Sequence, residues 1–198
     1  MYSTVGILNT ALGLIVISEP IGILPIIYRV SNYELSKIKL ISRASSLTYL
    51  ITMLLFCWFG RELLSAIGIT IHSFKIAGGL ILLPVGLKLI EGISPTLNLE
   101  ENNIYAFAHI PIGVPLLAGP AAISLVIIED GSNIETKAIL SIVIALISVL
   151  IYLVFNSSLF LKRFINERLL DTINRFTGML LVSIAVQMII SGIKAVIS

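Results

Sequence analysis

The sequence predicts an all-α polytopic membrane protein, with six transmembrane helices arranged as two inverted three-helix repeats. Three observations predict it. Hydrophobic residues make up 57% of the 198 positions and charged residues 12%, about half the ~25% charge of a soluble domain, and mean hydropathy is +1.05. Six apolar runs each approach the roughly 20 residues that a bilayer-crossing helix needs. Finally, Gly13, Pro20, Gly78 and Gly92 recur as Gly113, Pro120, Gly178 and Gly192, each pair 100 positions apart. Ile23/Ile123, Leu80/Leu180, Ile90/Ile190 and Ile93/Ile193 keep the same spacing.

The spans fall in order at about 5–28, 41–60, 73–93, 107–128, 138–160 and 176–197. No Lys or Arg precedes the first apolar stretch, and no small-residue cleavage site follows it, so it reads as a retained helix rather than a secretory signal. The second contains the single cysteine, Cys57, between Phe56 and Trp58. Alone it forms no internal disulfide, and it reads as a small buried hydrophobe. In the third and sixth, Gly78-Gly79 and Gly178 read as close-packing points. Between the third and fourth spans, Ser94 to Ala106 is polar and turn-prone, with Pro95, Asn98, Glu100, Glu101, Asn102 and Asn103. That linker divides one integral membrane domain, 1–198, into a first repeat (about 5–93) and a second (about 107–197).

Three spans per repeat is an odd number, so the second copy enters the membrane upside down relative to the first. Cytoplasmic loops are enriched in Lys and Arg. The first connection carries Arg29, Lys37 and Lys39, with Arg43 just beyond, and the fifth carries Lys162, Arg163, Arg168 and Arg175. Both lie on the same side. That side is expected to be cytoplasmic, with both termini outside. A net charge of +2 gives no reason to expect a nucleic-acid partner.

The first and fourth spans carry the chemistry. The first reads Ser18-Glu19-Pro20-Ile21-Gly22-Ile23-Leu24-Pro25, and the fourth runs from Pro111 through Gly113, Pro115, Gly119 and Pro120 to Ser124. Proline inside a helix removes a hydrogen bond and clashes with the preceding turn. Glycine lets the backbone unwind. Two breaks facing each other are therefore expected near Pro20 and Pro120, each restart presenting unpaired N–H groups and a positive dipole end suited to a carboxylate. Glu19, an acid within a span, is a candidate proton carrier or partner for a ligand ammonium. Gly22 and Gly119 would line the site, and Ser124 and Gln187 could hydrogen-bond a ligand or hold helices together. His72 and His109 read as interfacial, without the company a metal site needs. No Walker loop, HExxH or nucleophile motif is present, so neither an enzyme nor a bound cofactor is expected.

At these residues the chain resembles the MarC family of bacterial inner-membrane proteins. The likeness lies in Ser18 to Pro25, in Ile69-Thr70-Ile71-His72-Ser73-Phe74-Lys75-Ile76-Ala77-Gly78-Gly79, in Val114 to Ser124, and in Arg175-Phe176-Thr177-Gly178 with Gly192-Ile193. It covers nearly the whole chain. The resemblance implies six spans in the inner membrane, and some members are described as neutral amino-acid transporters. Two positions depart from the family pattern. Glu19 stands where Asn or Asp is usual before the proline, and Ala121 where glycine is common; both additions would narrow the site.

The expected function is secondary transport of small neutral amino acids or similar metabolites by alternating access, with a proton or sodium as the candidate coupling ion. The lipid bilayer is the other expected partner, and no oligomeric state is assigned. A non-transporting membrane scaffold or assembly partner is the alternative from a different class. A cation channel or metal exporter lacks a second acid deep in a span, since Glu91 and Glu129 fall at span ends.

Overall fold

A computed structural model of the chain describes residues 4–32, 34–92, 108–129, 133–158, 160 and 167–197. The linker Ser94–Ala106 and the cations Lys162 and Arg163 lie outside the described residues. All regular structure described is helical: α1 (Thr4–Ser18), α2 (Leu24–Ser31), α3 (Leu35–Ala66), α4 (Ile71–Ile90), α5 (Ala108–Leu117), α6 (Pro120–Glu129), α7 (Ile134–Asn156) and α8 (Glu167–Ile197). Four of these provide stretches long and apolar enough to cross a membrane: α3, α4, α7 and Gly178–Ile197 of α8. The first and fourth expected spans are instead pairs of shorter helices, α1 with α2 and α5 with α6.

Proline chemistry explains both interruptions. A residue before proline is disfavoured in the helical region by the ring, although α4 carries Pro84 without a break. Glu19, before Pro20, takes φ +43°, and the chain passes through turns to Leu24 before helix resumes. In α5, Ile110 precedes Pro111 and Val114 precedes Pro115; both are extended, at φ −130°, ψ 119° and φ −136°, ψ 128°. This segment is a wide-turned, twice-interrupted helix. Ala118 N–H donates to Gly113 O at 2.9 Å before α6 starts at Pro120, where a proline's missing N–H costs nothing.

Helix ends differ from expectation where charge stood in for a boundary. The second span was expected from 41, and α3 begins earlier, at Leu35; the sixth was expected at 176–197 and is matched by the apolar stretch Gly178–Ile197, with α8 running back to Glu167. Charged residues leave lipid but do not end a helix. At about 1.5 Å per residue, the 32 residues of α3 reach roughly 48 Å, well beyond a ~30 Å hydrocarbon core.

Two packed units result. One is a bundle of α1, α2, α3, α5, α6 and α7 around a continuous buried core that includes Leu14, Ile27, Tyr49, Ile112, Ile144 and Phe155. Hydroxyls lock it: Ser45 Oγ donates to Ala108 O at 2.9 Å, Ser148 Oγ to Ser46 O at 2.9 Å, and Tyr28 OH to Ser158 O at 2.6 Å. The other unit is the α4/α8 pair, whose most extensive packing is between its own two helices. Here backbones touch. A Cβ at Gly178 would stand 2.6 Å from Gly86 O, and one at Gly79 would stand 2.6 Å from Ala185 O. Small residues permit such approach where lipid supplies no hydrophobic drive between helices. Outward faces carry many large apolar side chains, Leu47, Phe59, Leu80, Leu146, Leu153 and Met179 among those exposed, as a lipid-facing surface requires.

Candidate functional site

The two breaks meet at a cavity of about 60 Å³. Ile17, Ser18, Glu19, Gly22 and Ile23 line it from the first break, and Leu116 and Pro120 from the second. Ile81, Leu82, Val85 and Leu89 of α4 and Leu181 of α8 close the remaining wall. The cavity therefore lies between the bundle and the α4/α8 pair. It has room for a few waters or one small polar group. Its wall is apolar except at Ser18 and Glu19.

Glu19 is the polar centre. Its positive φ is a conformation that costs a residue other than glycine roughly 1–2 kcal/mol, and strain of this kind concentrates at functional sites. Oε1 of its carboxyl is buried with no hydrogen-bond partner among the described residues. Buried polar atoms are almost always paired, so an orphaned carboxyl oxygen facing a cavity marks a place for a ligand, an ion or a proton. Beside it, Ser18 Oγ lies 3.4 Å from Tyr49 OH, and both residues are fully buried. Tyr49 thus reaches from α3 to the break and fixes its N-terminal edge.

Of the residues expected at a binding site, Glu19, Gly22 and Pro120 line one cavity. Pro20 and Gly119 are buried neighbours of those positions in the two breaks. Ser124 lies one turn into α6, 2% exposed, its Oγ without a partner among the described residues. It does not line the cavity. Gln187 also stands apart: it is exposed on α8. The inward face of that helix runs through Leu181, Ala185, Met188 and Gly192, all buried, and position 187 lies opposite this stripe at 3.6 residues per turn. Gly78 packs where three helices meet, since a Cβ there would stand 2.8 Å from Pro120 Cβ and 3.0 Å from Met188 Cε.

Sequence reasoning missed Ser18 and Tyr49 as a pair, Leu116, and the whole α4 wall. A tyrosine with three nearby hydroxyl residues in one apolar span (Ser45, Ser46 and Thr48) was the available signal, because such groups need partners in lipid. No group of three His, Cys, Asp or Glu side chains converges among the described residues. His109 hydrogen-bonds Thr48, and His72 keeps a buried Nδ1 without a partner among the described residues. Cys57 is buried, as expected.

Long apolar helices, an apolar exterior and helices broken inside the bundle define an all-α, multi-pass integral membrane protein. Residues 4–197 match the MarC family, described as "MarC family integral membrane protein". The chain belongs to the MarC family. It is similar to a UPF0056 membrane protein of Buchnera aphidicola subsp. Acyrthosiphon pisum, at 31% identity over 93% of this chain and 90% of the relative. A UPF0056 membrane protein of Pyrococcus abyssi is 30% identical over 92% and 91% of the two chains. The Escherichia coli UPF0056 membrane protein YhcE is 27% identical over 93% and 90%. These names describe membrane proteins and give no substrate. No solved structure matches the chain.

Proposed function

We propose that this protein is a secondary transporter of small neutral amino acids, working by alternating access around the cavity between the two helix breaks. The observation that carries the reading is Glu19, a strained acid with an orphaned buried oxygen, held where two broken helices meet. Broken helices at a repeat interface are how many transporters build a substrate site. The first-turn N–H groups of α6, after Pro120, take the substrate carboxylate with help from the helix dipole. Glu19 pairs with the ammonium or carries a coupling proton. Gly22 leaves room for backbone approach, and Ile81, Val85 and Leu116 offer an apolar wall to a small side chain. The cavity's small size favours glycine and alanine.

The correspondence of elements at a 100-residue spacing supports two inverted repeats. Breaks follow Ser18 and Leu117, long helices follow at 35–66 and 134–156, and glycine-bearing helices close each half at 71–90 and 167–197. The cation-rich side is the cytoplasmic one, which places both termini outside the cell membrane. The α4/α8 pair is the element that moves against the bundle.

The test is uptake and efflux of labelled glycine and alanine in proteoliposomes, with and without a pH gradient. Saturable flux that responds to the gradient supports transport. Glu19→Gln is expected to lose the gradient response. Absence of flux in both directions from verifiably inserted protein overturns the amino-acid reading. Native rate and pH response in Glu19→Gln would remove Glu19 from the mechanism.

A further inference from the structure

A second pocket, of about 400 Å³, opens near the start of α3, away from the cavity between the breaks. Ser36, Lys39, Leu40, Arg43, Ala44 and Leu47 of α3 line it, with His109 of α5. Its depth in the bilayer can be read from α3 itself. Arg43 and Arg61 are 18 positions apart with no charged residue between them. At ~1.5 Å per residue that is about 27 Å, close to the thickness of the hydrocarbon core. Arg43 therefore marks one boundary of the lipid tails, and Lys39, one turn earlier on the same face, stands in the headgroup layer.

Charge and shape fit together at that depth. Lys39 and Arg43 are exposed and spaced i, i+4, so both cations point from one helix face. Among the described residues neither has an acidic partner within ion-pair distance. The acid described nearby, Glu34, is engaged by Lys37, whose Nζ is 2.9 Å from Oε2, and by Ser36. Leu40 packs between the two cations, and beyond Arg43, toward the bilayer centre, the lining turns apolar at Ala44 and Leu47, with Leu47 52% exposed. On the opposite rim His109 is oriented by its hydrogen bond with Thr48. Cations above an apolar, lipid-facing floor match a phosphate attached to acyl chains better than a free anion.

We infer that this pocket binds the phosphodiester headgroup of an anionic glycerophospholipid, with Lys39 and Arg43 on the phosphate and the first acyl carbons along Leu47. Basic pockets between transmembrane helices hold anionic headgroups elsewhere by the same chemistry. The inference is independent of the transport reading.

Native mass spectrometry and thermal-shift measurements on purified protein with added phosphatidylglycerol, phosphatidylcholine or inorganic phosphate test it. One phosphatidylglycerol is expected to persist on the native protein, with stabilisation that phosphatidylcholine does not reproduce. The double variant Lys39→Gln/Arg43→Gln is expected to bind it roughly 30-fold more weakly, at about 1 kcal/mol per cation near the surface. Lys88→Gln, which removes an exposed cation outside the pocket, is expected to bind as the native protein does. Equal weakening by Lys88→Gln would mean general attraction to charge and overturn the site. Stabilisation by inorganic phosphate equal to that by phosphatidylglycerol would overturn the lipid assignment in favour of a soluble anion.

Discussion

Glu19 concentrates three costs in one residue: a positive φ, a carboxyl on the wall of a mostly apolar cavity, and a buried oxygen without a partner among the described residues. Such costs persist only where surrounding structure enforces them. Substituting Glu19→Gln removes the titratable carboxyl while keeping the shape, so the fold is expected to survive and gradient-driven flux to disappear. Comparing thermal stability with flux in the same preparation separates these outcomes. Ser148 offers the opposite kind of residue. Its hydroxyl bridges α7 to the backbone of α3, and it does not line the cavity between the breaks. Ser148→Ala is expected to cost about 1 kcal/mol of stability and leave transport kinetics unaltered. Glu34 titrates outside the spans. The Ser36 hydroxyl and Lys37 hold its carboxyl below the ordinary carboxylate range. Its support for the start of α3 is thus present at neutral pH and lost as pH falls through that lowered value. At this scale the sequence singled out residues that are expensive in lipid, Glu19 and Pro120, and both line the cavity between the breaks. It did not place Gln187, because a polar side chain on an apolar helix says nothing about which face meets a neighbour.

Among elements, the breaks follow from local rules. Residues before Pro20, Pro111 and Pro115 leave the helical region for a steric reason visible in the sequence. The ends of α3 and α8 were less legible, because the chemistry that ends a span in lipid is not the chemistry that ends a helix. The α4/α8 crossing depends on glycines that let backbones touch. Gly178→Leu would drive a side chain into Gly86 O and Ile90. It is expected to destabilise the pair by about 1–3 kcal/mol or more, as overpacking does, read as a lowered melting temperature in detergent. Gly78→Leu is expected to act differently, since its neighbours are Pro120 Cβ and the flexible Met188 side chain. Flux should fall further than stability, because in the proposed mechanism α4 moves against the second break at this residue.

For the whole molecule, the division into a bundle and an α4/α8 pair explains why a cavity exists between them. Continuous hydrophobic packing holds the bundle together, whereas the pair adheres to it mainly through α4 against α6. None of this division was legible in the sequence, because hydropathy marks which segments enter lipid and is silent on which helices share a core. The proposed lipid pocket near Arg43 belongs to the same scale, since it lies at the depth that the Arg43–Arg61 spacing gives α3.

The account turns on the cavity opening to both sides of the membrane. Cys57 is the only cysteine and is buried, so Leu116→Cys in a Cys57→Ala background gives one reporter on the cavity wall. Labelling by a membrane-impermeant thiol reagent, applied separately to each face of oriented vesicles, is the decisive measurement. The account predicts modification from both faces and protection from both by alanine. Modification from one face only, unchanged by alanine, would contradict it.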